Sequence, residues 1–259
     1  MSIKLYKPYT LKYLKSKQKV IDKIKLFAFY LLSLKSSRDF YSKIHSIACV
    51  LPYEYELIQS KQNRNINFIP IRYIGKDNSD LFKVPKISNT ILLNNSAAPT
   101  GNHIDVLRLI SGYINSDTII YIPFCYGVNN EYFQAVKNEV RNLNIENNVK
   151  FLTDFIEPEE YKQLISSCSI AIFGHIRQQG LGNIISLLSA GVKVFFYKDS
   201  ITYKYYKQQG LNVYNLEEDF NGIFLFDSNL AEMNNHIMNK LQNYDNYLID
   251  LKAALEKVY

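Results

Sequence analysis

At 259 residues with 47% hydrophobic side chains, the chain can form one large domain or two modest ones, and wholesale disorder is excluded. Seven Pro and ten Gly exclude low complexity, and three scattered Cys (Cys49, Cys125, Cys168) exclude a disulfide framework and read as core thiols in a reducing compartment. Of the net +6, residues 1–35 carry +8 (nine Lys against Asp22) and the remainder −2, a basic amino end on a near-neutral globule rather than a nucleic-acid-binding domain.

Residues 10–35 read as a helix. Leu11, Leu14, Ile21, Ile24, Ala28, Leu31 and Leu32 recur at three- to four-residue spacing with Lys between them. Such a helix suits an anionic membrane surface, or else packs with a solvated Lys face. No run reaches the roughly 20 apolar residues of a membrane span, and no secretory signal is visible. A cytoplasmic location is expected. Strand-like runs follow at 44–51 and 66–74, with Pro52-Tyr53-Glu54-Tyr55-Glu56 between them. Residues 75–89 are more polar and mark a boundary. The expected domains are 1–88, a basic helical segment plus a remnant or linker, and 89–259.

From Thr90 the chain becomes regular. Strand 90–94 leads into loop 95–102, with Asn102 as N-cap of helix 103–111. Strand 117–124, helix 131–143 and strand 149–155 follow. Pro158, flanked by Glu157, Glu159 and Glu160, opens a helix that runs to about Ser167. The apolar run Ile170-Ala171-Ile172-Phe173 then enters the polar glycine loop 174–183. Helix 184–190 and strand 192–197 come next. Helix 203–209, a short strand at 212–216 and a long terminal helix at 233–258 complete the chain. Strand and helix alternate throughout 90–216, which predicts an α/β fold: one doubly wound, Rossmann-like parallel sheet.

In such a sheet the strand-to-helix loops share one edge, where ligands bind. Loops 95–103, 125–130, 153–158 and 174–183 meet this condition. Asn95, Ser96, Thr100, Gly101 and Asn102 supply neutral groups for phosphate or sugar hydroxyls. His103 and His175 stand at loop edges. Tyr126, followed by Gly127, can stack or donate, and 153–157 can border a base. Arg177 is the only Lys or Arg in these loops and forks onto phosphate oxygens. Gln178, Gln179 and Asn183 add neutral partners, while Gly180 and Gly182 allow close approach of a ligand. The helix start beside them favours an anion. A nucleotide-diphosphate pocket is one reading, and an ordinary strand–helix turn with a solvated Arg is the other. The four His form no metal-ligand spacing, and no metal or cofactor is expected. No GxGxxG follows the first strand, which speaks against an NAD-type protein.

Three segments come in order: Asn94-Asn95-Ser96-Ala97-Ala98-Pro99-Thr100-Gly101-Asn102-His103, Ile122-Pro123-Phe124-Cys125-Tyr126-Gly127 and Arg177-Gln178-Gln179-Gly180-Leu181-Gly182-Asn183. As a set, with Leu5-Tyr6-Lys7-Pro8 and Pro52–Glu56, they resemble the TDP-N-acetylfucosamine:lipid II N-acetylfucosaminyltransferases, glycosyltransferase family 56. The resemblance implies a GT-B architecture whose second Rossmann-like domain holds the donor. It implies metal-independent transfer of 4-acetamido-4,6-dideoxygalactose from a TDP-sugar to a polyprenyl-diphosphate-linked saccharide. The setting is the inner membrane face, in enterobacterial common antigen or O-antigen assembly, with residues 4–35 on the anionic membrane surface. Family members carry a full amino-terminal domain before the Leu-Tyr-x-Pro-like segment, so a reduced or missing acceptor domain is expected here. The alternative is a noncatalytic or split nucleotide-sugar-binding subunit that needs a partner chain for the acceptor. The catalytic base is unassigned; Asp39 and Glu54 are the acids considered.

Overall fold

The computed structural model describes residues 5–18, 40, 43–72, 79–126 and 129–258. They fall into two compact units, Met1–Ile3 with Leu11–Ile74 and Asn243–Tyr259, and Lys4–Thr10 with Gly75–Gln242. This division differs from the expected 1–88 and 89–259. Lys4–Thr10 joins the unit that holds the large sheet, and Asn243–Tyr259 joins the other.

Helix α1 (Pro8–Ser16) covers the first part of the helix expected at 10–35, and residues 19–35 lie outside the described ones. In the smaller unit, β1 (Ser46–Cys49), α2 (Pro52–Gln59) and β2 (Asn67–Pro70) form a parallel β-α-β turn. Pro52 suits the start of α2, where its missing N–H costs no hydrogen bond. The end of α2 is tied to the returning strand. Tyr55 Oη donates to the Ile66 carbonyl at 2.8 Å, and the Ile66 amide donates to Gln59 Oε1 at 2.9 Å. Leu51 and Ile66 are buried beside these bonds.

The larger unit is built on six parallel strands. These are β3 (Ile87–Leu93), β4 (Ile119–Pro123), β5 (Val149–Leu152), β6 (Cys168–Phe173), β7 (Lys193–Phe196) and β8 (Tyr214–Asn215). Their spatial order is β5-β4-β3-β6-β7-β8, with every pairing parallel. Strands β3, β4 and β5 step outward in one direction. The chain then crosses back, lays β6 against the other side of β3, and steps outward again. The winding sense therefore reverses between β3 and β6, where the loops leaving the two strands diverge and open a crevice.

The helices are α3 (His103–Ile110), α4 (Asn130–Asn142), α5 (Pro158–Ser167), α6 (Leu181–Ser189), α7 (Ile201–Gln208), the single turn α8 (Leu216–Asp219) and α9 (Ser228–Leu241). All six residues of β6 are buried, as a central parallel strand requires. Ile91, Leu92, Leu93, Ile120, Ile122, Val194, Phe195 and Phe196 complete the sheet's contribution to the core. Each such side chain contributes on the order of 1.5–3 kcal/mol by leaving water.

Three expectations change. The terminal helix is two helices, α9 and α10 (Tyr244–Leu255); Asn243 opens the second by accepting from the Asn246 amide at 2.9 Å. In the smaller unit α10 packs against β2, where Asp250 pairs with Arg72. Strand β5 ends at Leu152, so 153–157 is a free-standing loop. Of the three thiols, Cys49 and Cys168 are buried, while Cys125 is exposed.

Candidate functional site

The crevice between β3 and β6 is where the two most site-rich loops meet. Asn94, fully buried at the end of β3 with φ 62°, holds them together. Its Nδ2 donates to the Gly101 carbonyl at 2.9 Å, and its Oδ1 accepts from the Gly174 amide at 2.9 Å. The loops approach so closely that a Cβ on Gly174 would stand 2.1 Å from the Gly101 carbonyl oxygen. Only glycine permits that approach. Gln179 adds a second bridge: its Nε2 donates to Ser96 Oγ at 3.1 Å, and its Oε1 accepts from Thr100 Oγ1 at 2.8 Å.

Above these bridges lies the amino end of α6. Gly180 precedes it in the left-handed region, φ 69°. The first helical bond runs from the Ile184 amide to the Gly180 carbonyl, so the amides of Leu181, Gly182 and Asn183 precede the helical ladder. No side chain caps this end among the described residues. Asn95 Oδ1, buried and without a hydrogen-bond partner, sits 2.8 Å from where a Gly180 Cβ would be. Arg177 is exposed, with a 3.4 Å bond to the Gln178 carbonyl. A helix amino end, an uncommitted amide oxygen and an exposed guanidinium thus share one edge. Together they can hold an anion bearing hydroxyl groups.

The expected residues divide into two sets. Asn95, Arg177, Gln178, Gly180 and Gly182 lie at the rim and are half-buried or exposed. Ser96, Thr100 and Gln179 bond one another, and Gly101 is buried beneath them. Asn183 donates to Tyr161 Oη at 2.9 Å, toward α5. Tyr126 is 77% exposed on the loop after β4; Gly127 lies outside the described residues.

Asn102, fully buried with φ 51°, occupies the N-cap position of α3, its carbonyl accepting from the Val106 amide at 3.0 Å, but its side chain does not cap the helix. Instead Oδ1 accepts from the Lys7 amide at 2.8 Å. Nδ2 faces the carbonyls of Gly174 at 2.7 Å and of Leu5 and Thr100 at 3.2 Å. Asn102 therefore ties a strap, residues 5–7, to both site loops.

His103 and His175 also sit beneath the rim, both fully buried, and burial holds each imidazole neutral with a pKa lowered to about 3. For His175 the Arg177 charge acts in the same direction as burial. His103 Nδ1 lies 3.3 Å from Tyr132 Oη, whereas both ring nitrogens of His175 lack a partner.

The strap itself escaped the sequence reading. Asp105, 6% exposed in the first turn of α3, accepts from the amides of Tyr9 and Thr10 at 2.8 Å each. Its place there reads as an ordinary helix-start acid, and its partners lie over ninety residues away. Lys7 brings a second cation to this edge. Its Nζ lies 3.2 Å from Asp199 and 3.3 Å from Glu217, and 4.1 Å from the Tyr197 ring centroid. Tyr6, between the strap's anchors, has its pKa raised by burial, against the pull of the Arg177 charge. Among the described residues no cluster of three His, Cys, Asp or Glu stands together.

The family model for glycosyl transferase group 56, the 4-alpha-L-fucosyltransferases, matches residues 18–256. The chain belongs to this family. Solved structures agree on the fold. A glycosyltransferase from Rickettsia africae superposes with a TM-score of 0.64 at 16% identity, covering 86% of this chain and 66% of its own. The Anabaena protein HepE, solved with UDP and glucose, gives 0.56 at 13%, covering 83% and 62%. WaaG, a glycosyltransferase of lipopolysaccharide biosynthesis, gives 0.51 at 14%, covering 80% and 61%. The fold of this family-56 chain is thus α/β of the GT-B type, its six-stranded sheet the Rossmann-like half. The chain spans less than two thirds of the length of each of these solved proteins.

Proposed function

We propose that the chain is a glycosyltransferase whose larger unit holds a TDP-sugar by its diphosphate at the β3–β6 crevice. The observation that carries this is the uncapped amino end of α6 beside Arg177 and the unpartnered Asn95 oxygen. Helix amides and a guanidinium meet the two phosphates, and Asn95 Oδ1 accepts from a sugar or ribose hydroxyl. When the glycosyl bond breaks, negative charge grows on the departing diphosphate. The same donors are already aimed at it, so they stabilise the transition state more than the ground state. Solution of HepE with UDP and glucose supports a nucleotide-sugar class of ligand.

Membership of family 56 supports the finer reading. The transferred sugar is 4-acetamido-4,6-dideoxygalactose, and the acceptor is a polyprenyl-diphosphate-linked saccharide at the cytoplasmic face of the inner membrane. Lys12, Lys15 and Lys17, exposed on and just after α1, supply positive charge toward that surface. Lys7 is committed to acidic partners and does not add to it. No helix among the described residues is long and apolar enough to cross a membrane.

The test is calorimetric titration with TDP followed by a transfer assay with TDP-sugar and lipid-linked acceptor. Arg177→Ala removes a charge-assisted contact worth about 1.5–3 kcal/mol, so TDP affinity falls about 10- to 150-fold. An unchanged affinity removes Arg177 from the site. Binding with no transfer makes the chain a nucleotide-sugar-binding subunit.

A further inference from the structure

A cavity of about 210 Å³ opens where the strands of the large sheet begin. Ser169, Lys193 and Tyr214, at the starts of β6, β7 and β8, all line it. The crevice described above lies where the strands end. Gly174 is five residues beyond Ser169, about 16 Å along β6, so the cavity is separate from the diphosphate cradle.

Its walls are held by side-chain amides. Asn234, buried on α9, accepts from the Asn212 amide at 2.7 Å and donates to the Asn212 carbonyl at 3.1 Å. Asn235 donates to the Ser189 carbonyl at 2.7 Å and fastens α9 to the end of α6. The mouth is apolar. Leu225 and Phe226, on the loop before α9, line the cavity yet are 78% and 46% exposed. Leu230 and Tyr214 continue this apolar wall inward. Large apolar side chains left open around a concave site mark a ligand surface.

Charge decides what the cavity takes. Lys193 is half-buried on an inner strand and pairs with no carboxylate among the described residues; its Nζ lies 5.0 Å from the Tyr214 ring centroid. Lys86, also half-buried, has its Nζ 5.9 Å from the Phe226 centroid and donates to the Val84 carbonyl at 2.9 Å, again with no carboxylate partner. Burial lowers the Lys86 pKa to about 8, which leaves it largely charged at pH 7. Ammonium groups drawn partly out of water call for a counter-ion. Asp227, the acid in the wall, is committed elsewhere. Its carboxylate accepts from the Asn229 and Leu230 amides at 3.0 and 3.2 Å, and the amino end of α9 offsets its charge. Asn212 adds a donor: its Nδ2 is buried without a hydrogen-bond partner, and the soft amide torsion lets it turn to an acceptor in the cavity. A dry cavity of about 150 Å³ accepts benzene, so this larger one has room for a ring or short chain with a carboxylate attached.

We propose that this cavity binds a small organic carboxylate, its apolar body against Leu225, Phe226 and Leu230 and its charged end toward Lys193 and Lys86. The site goes beyond the proposed function and does not depend on it.

The probes are phenylacetate, its neutral amide phenylacetamide, and benzylamine, each titrated into the ¹⁵N-labelled full chain by NMR with and without TDP. Phenylacetate should shift the amides of Ser169, Lys193, Tyr214 and Leu230 and leave those of Leu181 and Gly182 in place. Hydrogen bonding to a charged group should make it bind at least about tenfold tighter than phenylacetamide. Lys193→Met keeps the packing of the stem and should remove most of that preference, while Leu230→Trp fills the cavity and should abolish binding of both. Melting curves establish that the variants fold, and the comparison of acid with amide on the parent chain needs no variant. Equal binding of acid and amide overturns the proposal by leaving an apolar cavity alone. Tighter binding of benzylamine overturns it by making Asp227 the deciding charge. A preference that survives Lys193→Met, shifts confined to Leu181 and Gly182, loss of phenylacetate binding on saturation with TDP, or no shift at millimolar probe each overturn it as well.

Discussion

Replacing Asn102 with Ala tests how the site is assembled. The side chain holds two short bonds, from the Lys7 amide at 2.8 Å and to the Gly174 carbonyl at 2.7 Å, and two longer contacts to Leu5 and Thr100. The residue is fully buried, so neither water nor a neighbour replaces these partners. Leaving the Lys7 amide and the Gly174 carbonyl unpaired costs about 1–3 kcal/mol each. Ala at φ 51° adds backbone strain of about 1 kcal/mol that Asn tolerates. The expected loss is about 3–7 kcal/mol, or roughly 6–28 °C in melting temperature for a chain of this size. Asn102→Gly removes the strain but not the lost bonds, so it should recover about 1 kcal/mol of the deficit. The assay is thermal unfolding by circular dichroism, with TDP titration on the folded variant below its transition. An Ala variant that melts within about 2 °C of the parent refutes the view that this amide fastens the strap and both site loops.

Acid should weaken the fold through the buried imidazoles. His103 and His175 stay neutral down to about pH 3 in the folded chain but take up protons near pH 6.5 when unfolded. Their contribution is complete above about pH 6.5 and is lost as pH falls toward 3, reaching about 2 kcal/mol each by pH 5. Denaturant midpoints of the parent and of His175→Gln at pH 7 and pH 5 check this; the variant's pH difference should be smaller by about 2 kcal/mol, and an identical difference counts against it. Gly180→Ala forces a Cβ to within 2.8 Å of Asn95 Oδ1 at φ 69°. Calorimetry should show TDP affinity reduced roughly tenfold, the equivalent of one charge-assisted hydrogen bond; full retention of affinity separates Gly180 from the anion's path.

The regular elements were legible because their burial is regular. Ile170 to Phe173 are apolar on both faces, as a central parallel strand must be, and the alternation from Thr90 onward implied the winding. Pro158 marked the start of α5 at the right residue. The rim was legible in part: glycine and Arg177 signal the α6 loop because backbone freedom and charge belong to residue type. The Asn102 side chain was misread because an Asn before a helix usually caps it, while this one enters the left-handed region and turns inward. Its partners Leu5 and Lys7, like the Tyr9 and Thr10 amides held by Asp105, are far away in sequence and leave no local pattern. Phe155 fell where a strand read to residue 155 overlaps a loop read from 153, and the strand in fact ends at Leu152 with the ring exposed.

The strap also limits how this protein can be taken apart. No single cut excises the sheet, because the piece from Gly75 to Gln242 would leave Lys4–Thr10 behind. Asp105 would then keep its carboxylate inside the protein with the Tyr9 and Thr10 amides gone, an orphaned charge that a graft into another scaffold would inherit. Any chimera or minimal fragment of the larger unit has to carry both stretches, joined or supplied together.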